Sequence, residues 1–278
     1  STDYTGGLIG LATGTSVTNS YSTATVSGTS YVGGLIGDST SSGAITNCHA
    51  TGTVAASSSS SSSSSASYAG GLVGYYANGT ITGSYATGAV TASSSSSASY
   101  TGGLVGYNDS GTIETSYATG TVTSSTEGGN GKSYAGGIAG YNESGTSTNS
   151  YATGDISATA DAGGDNSYAG GLVGYNESGT ITNNYEIGSF SANGINPFAG
   201  GLVGYLAAGT VTYSYFNSDN SGSALGSGTT TVSTGGALGS SEMQESSNYD
   251  SSWDFTDTWT IGSLNSGYPY LINNAPSE

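Results

Sequence analysis

The chain has 278 residues, of which 49 are Gly and only 7% are charged, a composition that argues against an ordinary globular enzyme. Eighteen acidic residues stand against a single basic one, Lys132, and the formal net charge is -17. Nucleic acid and anionic membranes are therefore not expected as partners, because both attract proteins through basic patches. No apolar run approaches the ~20 residues of a membrane-spanning helix, so no membrane span is predicted.

A short motif recurs from the start of the chain to about residue 215. Each copy contains a Gly-Gly pair, and the second glycines follow one another at intervals of 27 to 37 residues, which is typical of solenoid repeats. An aromatic residue precedes each of these glycines by three positions, and Leu or Ile follows it directly. The seven anchor glycines are Gly7, Gly34, Gly71, Gly103, Gly137, Gly171 and Gly201.

The spacing of apolar residues within a copy predicts β-strands. Ile181 and Tyr185 lie an even number of positions apart, as on one face of a strand, and residues 1–215 show no helical period. One copy is too small to bury its own apolar face, whereas identical copies stacked ~4.8 Å apart would bury it. The prediction is an all-β fold, a β-solenoid of about seven stacked rungs, each with two or three short strands. The predicted core ladders include Tyr68, Leu72, Ile81, Tyr85, Val90, Tyr100, Leu104, Ile113, Tyr117 and Val122.

The length differences between copies all fall at one point of the repeat, between its last apolar residue and the next aromatic one. The insertions include the serine runs Ser57–Ser65 and Ser93–Ser97. Such runs cannot form a core, and loop closure costs little extra as a loop lengthens. They are predicted to lie outside the rungs as a fringe along one edge of a solenoid domain, residues 1–220.

The repeated core G-G-L-[IV]-G-Y-N, followed by T-I-T-N-S-Y-A-T-G, resembles the GLUG motif of bacterial cell-surface proteins and adhesins. The resemblance extends from Tyr4 to about Tyr215. It implies an extracellular or cell-surface location and an adhesive or structural role, and it carries no catalytic residues to transfer. Residues 240–271 also resemble the segment that often follows such arrays.

Cys48 and His49 are adjacent, and each is the only residue of its type in the chain. In the repeat His49 takes the position held by Tyr85 and Tyr117 in the next two copies, and Cys48 takes a serine position. We therefore interpret both as substitutions within packed columns. A metal site would need three or four converging ligands.

A second candidate site is the repeated Asn-x-Ser tripeptide that begins at Asn108, Asn142 and Asn176. Its middle residue is an acid in each of these copies. Glycans on successive rungs would be crowded, so an asparagine ladder that bonds the turn is the favoured interpretation. The acids Asp109, Glu143 and Glu177 would repel one another unless they are solvated or bridged by a cation. They are weak metal candidates. No cofactor is expected, and Ca²⁺ is the one ion considered.

Two threonine columns raise the hypothesis of a flat face that orders water, as in ice binding, although Thr is also an ordinary strand residue. The first column is broken by Glu114 and the second by Ile187. The first column is Thr18, Thr46, Thr82, Thr148, Thr182 and Thr212. The second is Thr23, Thr51, Thr87, Thr119 and Thr153.

The C-terminal segment, residues 221–278, is aromatic-rich and is predicted to cover the last rung or to dock on another subunit. The first rung begins within a few residues of Ser1, and its open edge is a template for another chain, which favours a head-to-tail homopolymer. The residues predicted at this assembly interface are Tyr4, Leu8, Val17, Tyr21, Trp253, Phe255, Trp259, Tyr268 and Tyr270.

The sequence thus favours an extracellular structural protein, either a surface adhesin rod or the subunit of a filament. Its partners would be further copies of itself or host-cell and environmental surfaces. The alternative is a binding module for glycan, ice or Ca²⁺. The chain is not expected to be an enzyme, because a solenoid that cleaves polysaccharide needs clustered carboxylates beside a basic residue, and Lys132 falls in a variable loop.

Overall fold

The computed structural model describes residues 3–59, 66–127, 131–161, 166–220, 222–228 and 232–276. The chain forms a β-solenoid, which confirms the predicted fold class. Each complete turn contains five short strands rather than the two or three predicted, because the glycine pair and the residue that follows Thr-x-Thr each bend the chain once more. Strands at equivalent positions pair in parallel and in register, and so build five sheets along the axis.

The first three sheets follow one another around the coil. Sheet 1 contains Tyr4–Gly6, Tyr31–Gly33, Ser67–Gly70, Ser99–Gly102, Ser133–Gly136, Asn166–Gly170 and Asn196–Gly200. Sheet 2 contains Ile9–Ala12, Ile36–Ser39, Val73–Tyr76, Val105–Asn108, Ala139–Asn142, Val173–Asn176, Val203–Leu206 and Leu225–Gly228. Sheet 3 contains Val17–Thr18, Ile45–Thr46, Thr80–Thr82, Thr112–Glu114, Thr146–Thr148, Thr180–Thr182 and Thr210–Thr212.

Two further sheets complete the turn. Sheet 4 contains Tyr21–Ser22, His49–Ala50, Tyr85–Ala86, Tyr117–Ala118, Tyr151–Ala152, Tyr185–Glu186, Ser214–Asn217 and Gly235–Leu238. Sheet 5 contains Val26–Gly28, Val54–Ser58, Val90–Ser94, Val122–Thr126, Ile156–Ala160 and Phe190–Asn193. Six turns are complete, and the seventh and a partial eighth extend the stack as far as Leu238.

The central core is filled by aliphatic columns that point inward from sheets 2 and 3. Leu72 and Val73 are both 0% exposed, so consecutive residues at the bend after the glycine pair are buried together. Ile81, Leu104 and Ile113 lie in the same cluster. The tyrosine columns do not: they stand on the outer faces of sheets 1 and 4, and Tyr68, Tyr85 and Tyr100 are half-buried there.

Sheets 5 and 1 pack face to face and form a narrow fin on one side of the coil. Valine and alanine columns fill its interior, with Val54, Val90 and Ala69 among them. The predicted position of the serine runs is partly wrong. Ser57, Ser58, Ser93 and Ser94 are strand residues of sheet 5, and the Ser58 amide donates to Ser67 Oγ across the fin at 3.1 Å. Residues 60–65 of the longer run lie outside the described residues.

The C-terminal segment takes a course different from the predicted one. Residues 225–238 add the last strands to sheets 2 and 4, and Ala224, Leu225 and Val232 pack against the central core. The aromatic tail that follows takes another direction. It lies along the outer face of sheet 4, where Trp253, Trp259 and Leu271 pack on Tyr117, Tyr151, Tyr185 and Tyr215. The tail contains the helix Ser240–Met243, the 3₁₀ turns Ser246–Asn248 and Leu264–Gly267, and the antiparallel strands Trp259–Thr260 and Tyr270–Leu271. A further 3₁₀ turn, Ser218–Asn220, precedes it.

This course buries part of the predicted assembly interface within the chain itself. Trp253 and Trp259 are 4% and 0% exposed, because the chain uses them to cover its own tyrosines. Val17 is buried in the central core. On the first rung Tyr4, Leu8 and Tyr21 are 39%, 50% and 63% exposed. Across the described ranges, no helix is long and apolar enough to cross a membrane.

Candidate functional site

The candidate acids form a surface column at the turn that follows sheet 2. Each one accepts a hydrogen bond from a tyrosine of the preceding rung: Tyr75 donates to Asp109 at 3.4 Å, Tyr107 to Glu143 at 2.7 Å and Tyr141 to Glu177 at 2.6 Å. Burial, and then Asp109, raise the pKa of Tyr75 to about 12. These phenol donors supply a partner that the sequence interpretation had left to solvent or Ca²⁺. No group of three His, Cys, Asp or Glu within the described residues could hold a metal ion.

The same tyrosines belong to a double aromatic ladder on the outside of the coil. Rings of sheet 1 stack on one another, as with Tyr100 and Tyr134 at 4.9 Å and 2°. Rings of sheet 2 stack in the same way, as with Tyr107 and Tyr141 at 4.8 Å and 9°. Tyr100 and Tyr107 then meet edge to face at 79°. Ring faces within the ladder are therefore covered by other rings, and a sugar could not stack on them.

The Asn-x-Ser asparagines form a ladder inside the coil. Asn108, Asn142 and Asn176 are no more than 2% exposed, so their amides are inaccessible to a glycan. Asn108 Nδ2 donates to Asn142 Oδ1 at 2.9 Å, and Asn142 Nδ2 to Asn176 Oδ1 at 2.7 Å. Each amide also donates to the carbonyl three residues later in its own turn, for example Gly111 O at 3.0 Å. The ladder stabilises the turns between sheets 2 and 3.

Cys48 and His49 occupy column positions and do not form a joint site. Cys48 is 0% exposed among core aliphatics, and burial raises the pKa of its thiol. His49 stacks between Tyr21 and Tyr85 with ring centroids 5.0 and 4.7 Å away. Desolvation lowers the pKa of its imidazole. A ring stacked between its column neighbours agrees with the predicted substitution within a packed column.

The threonine face differs from the predicted one in its second column. The Thr18 column and the residues two positions earlier flank the inward residue of each sheet 3 strand, which is Ile or Val except at Ser147. Two outward columns therefore share one sheet. Thr23 and its equivalents instead follow sheet 4 at a different corner of the coil. The outward pairs are Thr80 with Thr82, Thr112 with Glu114, Thr146 with Thr148, Thr180 with Thr182, and Thr210 with Thr212.

The sequence analysis missed two buried carboxyl groups, although each differs from the residues at the equivalent position in other rungs. Asp38 stands where later rungs carry Tyr75 and Tyr107, and burial raises its pKa to about 6. Glu186 stands where four rungs carry Ala, is 1% exposed and has no partner for Oε1. Burial, and to a lesser degree the charge of Asp155, raise the pKa of Glu186 well above its usual value. A search for charged exceptions within apolar columns would have found both.

The family model for the GLUG motif matches residues 1–27, 28–55, 65–91, 97–123 and 131–157. The chain is a GLUG-repeat protein. The five matches coincide with five successive turns of the solenoid, which confirms the resemblance seen in the repeated glycine and tyrosine pattern. A search of curated proteins finds no significant match to this GLUG-repeat protein.

Among solved structures, the GLUG-repeat chain is similar to a protein of Bacteroides ovatus described as a "putative immunoglobulin A1 protease". The two share 20% identity with a TM-score of 0.58, over 96% of this chain and 76% of the other. At this identity the likeness shows the fold. It also corrects the expectation that the chain is not an enzyme, because the same fold occurs in a chain described as a protease. The solenoid architecture therefore does not exclude an enzyme.

Proposed function

We propose that this GLUG-repeat protein is the rod of an extracellular bacterial adhesin, which contacts host-cell or environmental surfaces through its lateral faces. The observation that carries the proposal is the unbroken parallel register of five sheets along the stack. Every turn is held to the next by backbone hydrogen bonds and by stacked side chains, as in other quasi-one-dimensional repeat proteins. Such a rod keeps its faces at fixed positions, which suits repeated contact with a surface.

The course of the tail favours a rod over a filament subunit. A head-to-tail polymer would need the aromatic tail to reach the first rung of a neighbour. Trp253 Nε1 donates to Tyr213 O at 2.8 Å, and Asn274 Nδ2 donates to Thr115 O at 3.1 Å, so the tail is tied to its own rungs at both ends. Docking on a neighbour would break these contacts.

The adhesin proposal is tested by attachment. Beads coated with the chain should bind to mucin-coated or epithelial surfaces in numbers well above beads coated with an unrelated acidic protein of equal charge. Antibodies against the chain should label intact producing cells without permeabilisation. Attachment equal to that of the control beads, or labelling only after permeabilisation, would contradict the proposal.

A second candidate function is ice binding, which the paired threonine columns of sheet 3 favour. Thr210 Oγ1 donates to Thr180 Oγ1 at 3.5 Å, and Thr182 and Thr212 are also hydrogen-bonded, so the hydroxyls are regularly placed along the axis. Inhibition of ice recrystallisation by the chain, and its loss in the double variant Thr146→Lys, Thr180→Lys, would support this function. No inhibition by the unmodified chain would remove it.

A further inference from the structure

A hollow of about 260 Å³ lies between the coil and the end of the tail. One wall is the bend between sheets 3 and 4 on the second, third and fourth rungs, contributed by Asn47, Gly83 and Thr115. The other wall belongs to the tail and includes Asp257 and Asn274. The volume is slightly below the roughly 300–1,000 Å³ of sites for drug-sized ligands, and it therefore suits one smaller molecule.

The one glycine of the bend column lies in the wall of the hollow. All members of the column adopt left-handed backbone angles, with φ between 46° and 59°. Six of them carry a side chain and Gly83 does not. Asn47 Oδ1 stands 2.6 Å from where a Cβ of Gly83 would lie, so a larger residue at position 83 would displace the Asn47 side chain. The column is Asn19, Asn47, Gly83, Thr115, Asn149, Asn183 and Tyr213.

The tail wall is built before any ligand arrives. Asn274 Nδ2 donates to Ser84 O at 3.4 Å and to Thr115 O at 3.1 Å, which ties the tail to the third and fourth rungs. Leu271 is 1% exposed and pairs with Trp259 in the short antiparallel sheet. The hollow is therefore a preformed site rather than a gap beside a loose end.

The lining determines which ligand chemistry fits. It offers the amides of Asn47, Asn273 and Asn274, threonine hydroxyls and one carboxylate from Asp257. Amides and hydroxyls both donate and accept, and a carboxylate accepts two hydrogen bonds. No Lys, Arg or His lines the hollow, so nothing there would attract an anion. A single carboxylate is also a poor ligand set for Ca²⁺.

We propose that this hollow binds one neutral sugar residue. Its amides, threonine hydroxyls and carboxylate bond the sugar hydroxyls. The site gives the proposed adhesin a class of ligand. Sugar binding itself does not depend on the adhesin proposal, and only its biological role rests on that proposal. The sugar is held between coil and tail, so the site depends on the lateral course of the tail.

Saturation-transfer NMR of the purified chain with millimolar glucose, galactose, mannose and N-acetylglucosamine tests the proposal. At least one sugar should give a signal, and Gly83→Asn should weaken its binding at least tenfold. Asn already occupies this bend on four other rungs, so the backbone accommodates the variant, and the added side chain takes up space in the wall of the hollow. Asn149→Gly makes the reverse change outside the hollow and should leave binding unchanged.

A second variant keeps the test decisive if Gly83→Asn does not fold. Asn273→Ala removes one lining amide from the exposed end of the tail and should also weaken binding. No signal from any of the four sugars would overturn the site, as would equal binding by both variants and the unmodified chain, or binding of Ca²⁺ without sugar. Sugar binding without bead attachment would contradict only the adhesin role, whereas attachment without sugar binding would contradict only this site.

Discussion

The molecule contains two tyrosine ladders that are stabilised in different ways. In the double ladder of sheets 1 and 2, each ring stacks on its equivalents and meets the neighbouring column edge to face, as Tyr134 meets Tyr141 at 85°. In sheet 4 a single column stacks at similar distances, 4.9 Å from Tyr117 to Tyr151. There the tail covers the column, and Tyr151 is 0% exposed.

The difference shows what a repeat can and cannot supply for itself. The double ladder is complete within the repeated motif, because the second column and the acids recur with it on several rungs. The sheet 4 ladder has no second column, so a segment of unrelated sequence has to cover it. That cover is imperfect for polar atoms: the hydroxyls of Tyr117 and Tyr151 and Nε1 of Trp259 are buried without a partner.

The largest effect is expected from a substitution in the central core, which should disrupt both tyrosine ladders. Leu104 is 0% exposed in the core that supports every sheet, so Leu104→Asp should cost several kcal/mol and abolish cooperative unfolding. Leu104→Met, which conserves volume, should cost less than about 1.5 kcal/mol. Circular dichroism melting measures both. A normal melt of the Asp variant would show that Leu104 does not support the ladders.

The next largest effect is expected from a substitution in the tail, which should uncover only the sheet 4 ladder. Trp259 is 0% exposed against Tyr151 and Tyr185, and Trp259→Ala should cost about 3–5 kcal/mol. It should release the tail to proteolysis while the β-signal of the coil remains. Phe198→Ala in the double ladder should cost less, because Phe198 is only half-buried, and should leave the tail bound. Equal release of the tail by both variants would contradict the comparison.

Glu186, which is buried on its sheet 4 strand, predicts that the free energy of unfolding depends on pH. Burial raises the pKa of Glu186, so the folded state keeps its proton after the unfolded state has lost it above about pH 4.3. The stability that this group contributes is full below that pH and is lost as pH rises towards the folded pKa, by up to ~1.4 kcal/mol per pH unit.

Glu186→Ala restores the residue of the other rungs and should remove this part of the dependence. Urea unfolding of both proteins at pH 4, 5.5 and 7 should give a gap in favour of the variant that widens as pH rises. Asp38 titrates in both proteins and serves as the internal control. A gap that is constant with pH would show that Glu186 does not hold its proton.

The smallest effect lies in the double ladder. Tyr107→Phe removes the 2.7 Å hydrogen bond to Glu143 and should cost about 1 kcal/mol, since the pair is only partly buried. Tyr175→Phe is the matched control, because the next rung carries Ala207 at the position of the acid, and it should cost less. Equal losses in urea unfolding would mean that the tyrosine–acid bonds add nothing to the ladder.

Much of the fold follows from column spacing alone. When solenoid turns with the same residues stack on one another, equivalent residues form ladders. Leu72, Ile81 and Asn108 could therefore be placed from their positions in the repeat. The number of strands per turn could not, because a bend at the glycine pair needs no change in the pattern of apolar residues. The serines at the end of sheet 5 were missed because a two-layer fin can take up such residues when a serine of the facing strand bonds their backbone, as Ser67 Oγ donates to Ser93 O at 2.7 Å.

The sequence by itself determined the solenoid, its parallel register and its aliphatic columns, because each of these depends only on contacts between a residue and its own equivalents one turn away. Only the tertiary structure decided where the tail lies and that Gly83 and Asn274 line one hollow. These features join residues that share no periodic relation, up to 190 positions apart. Such residues come together because their surfaces are complementary and because apolar side chains are buried in the contact, not because of their spacing in the sequence.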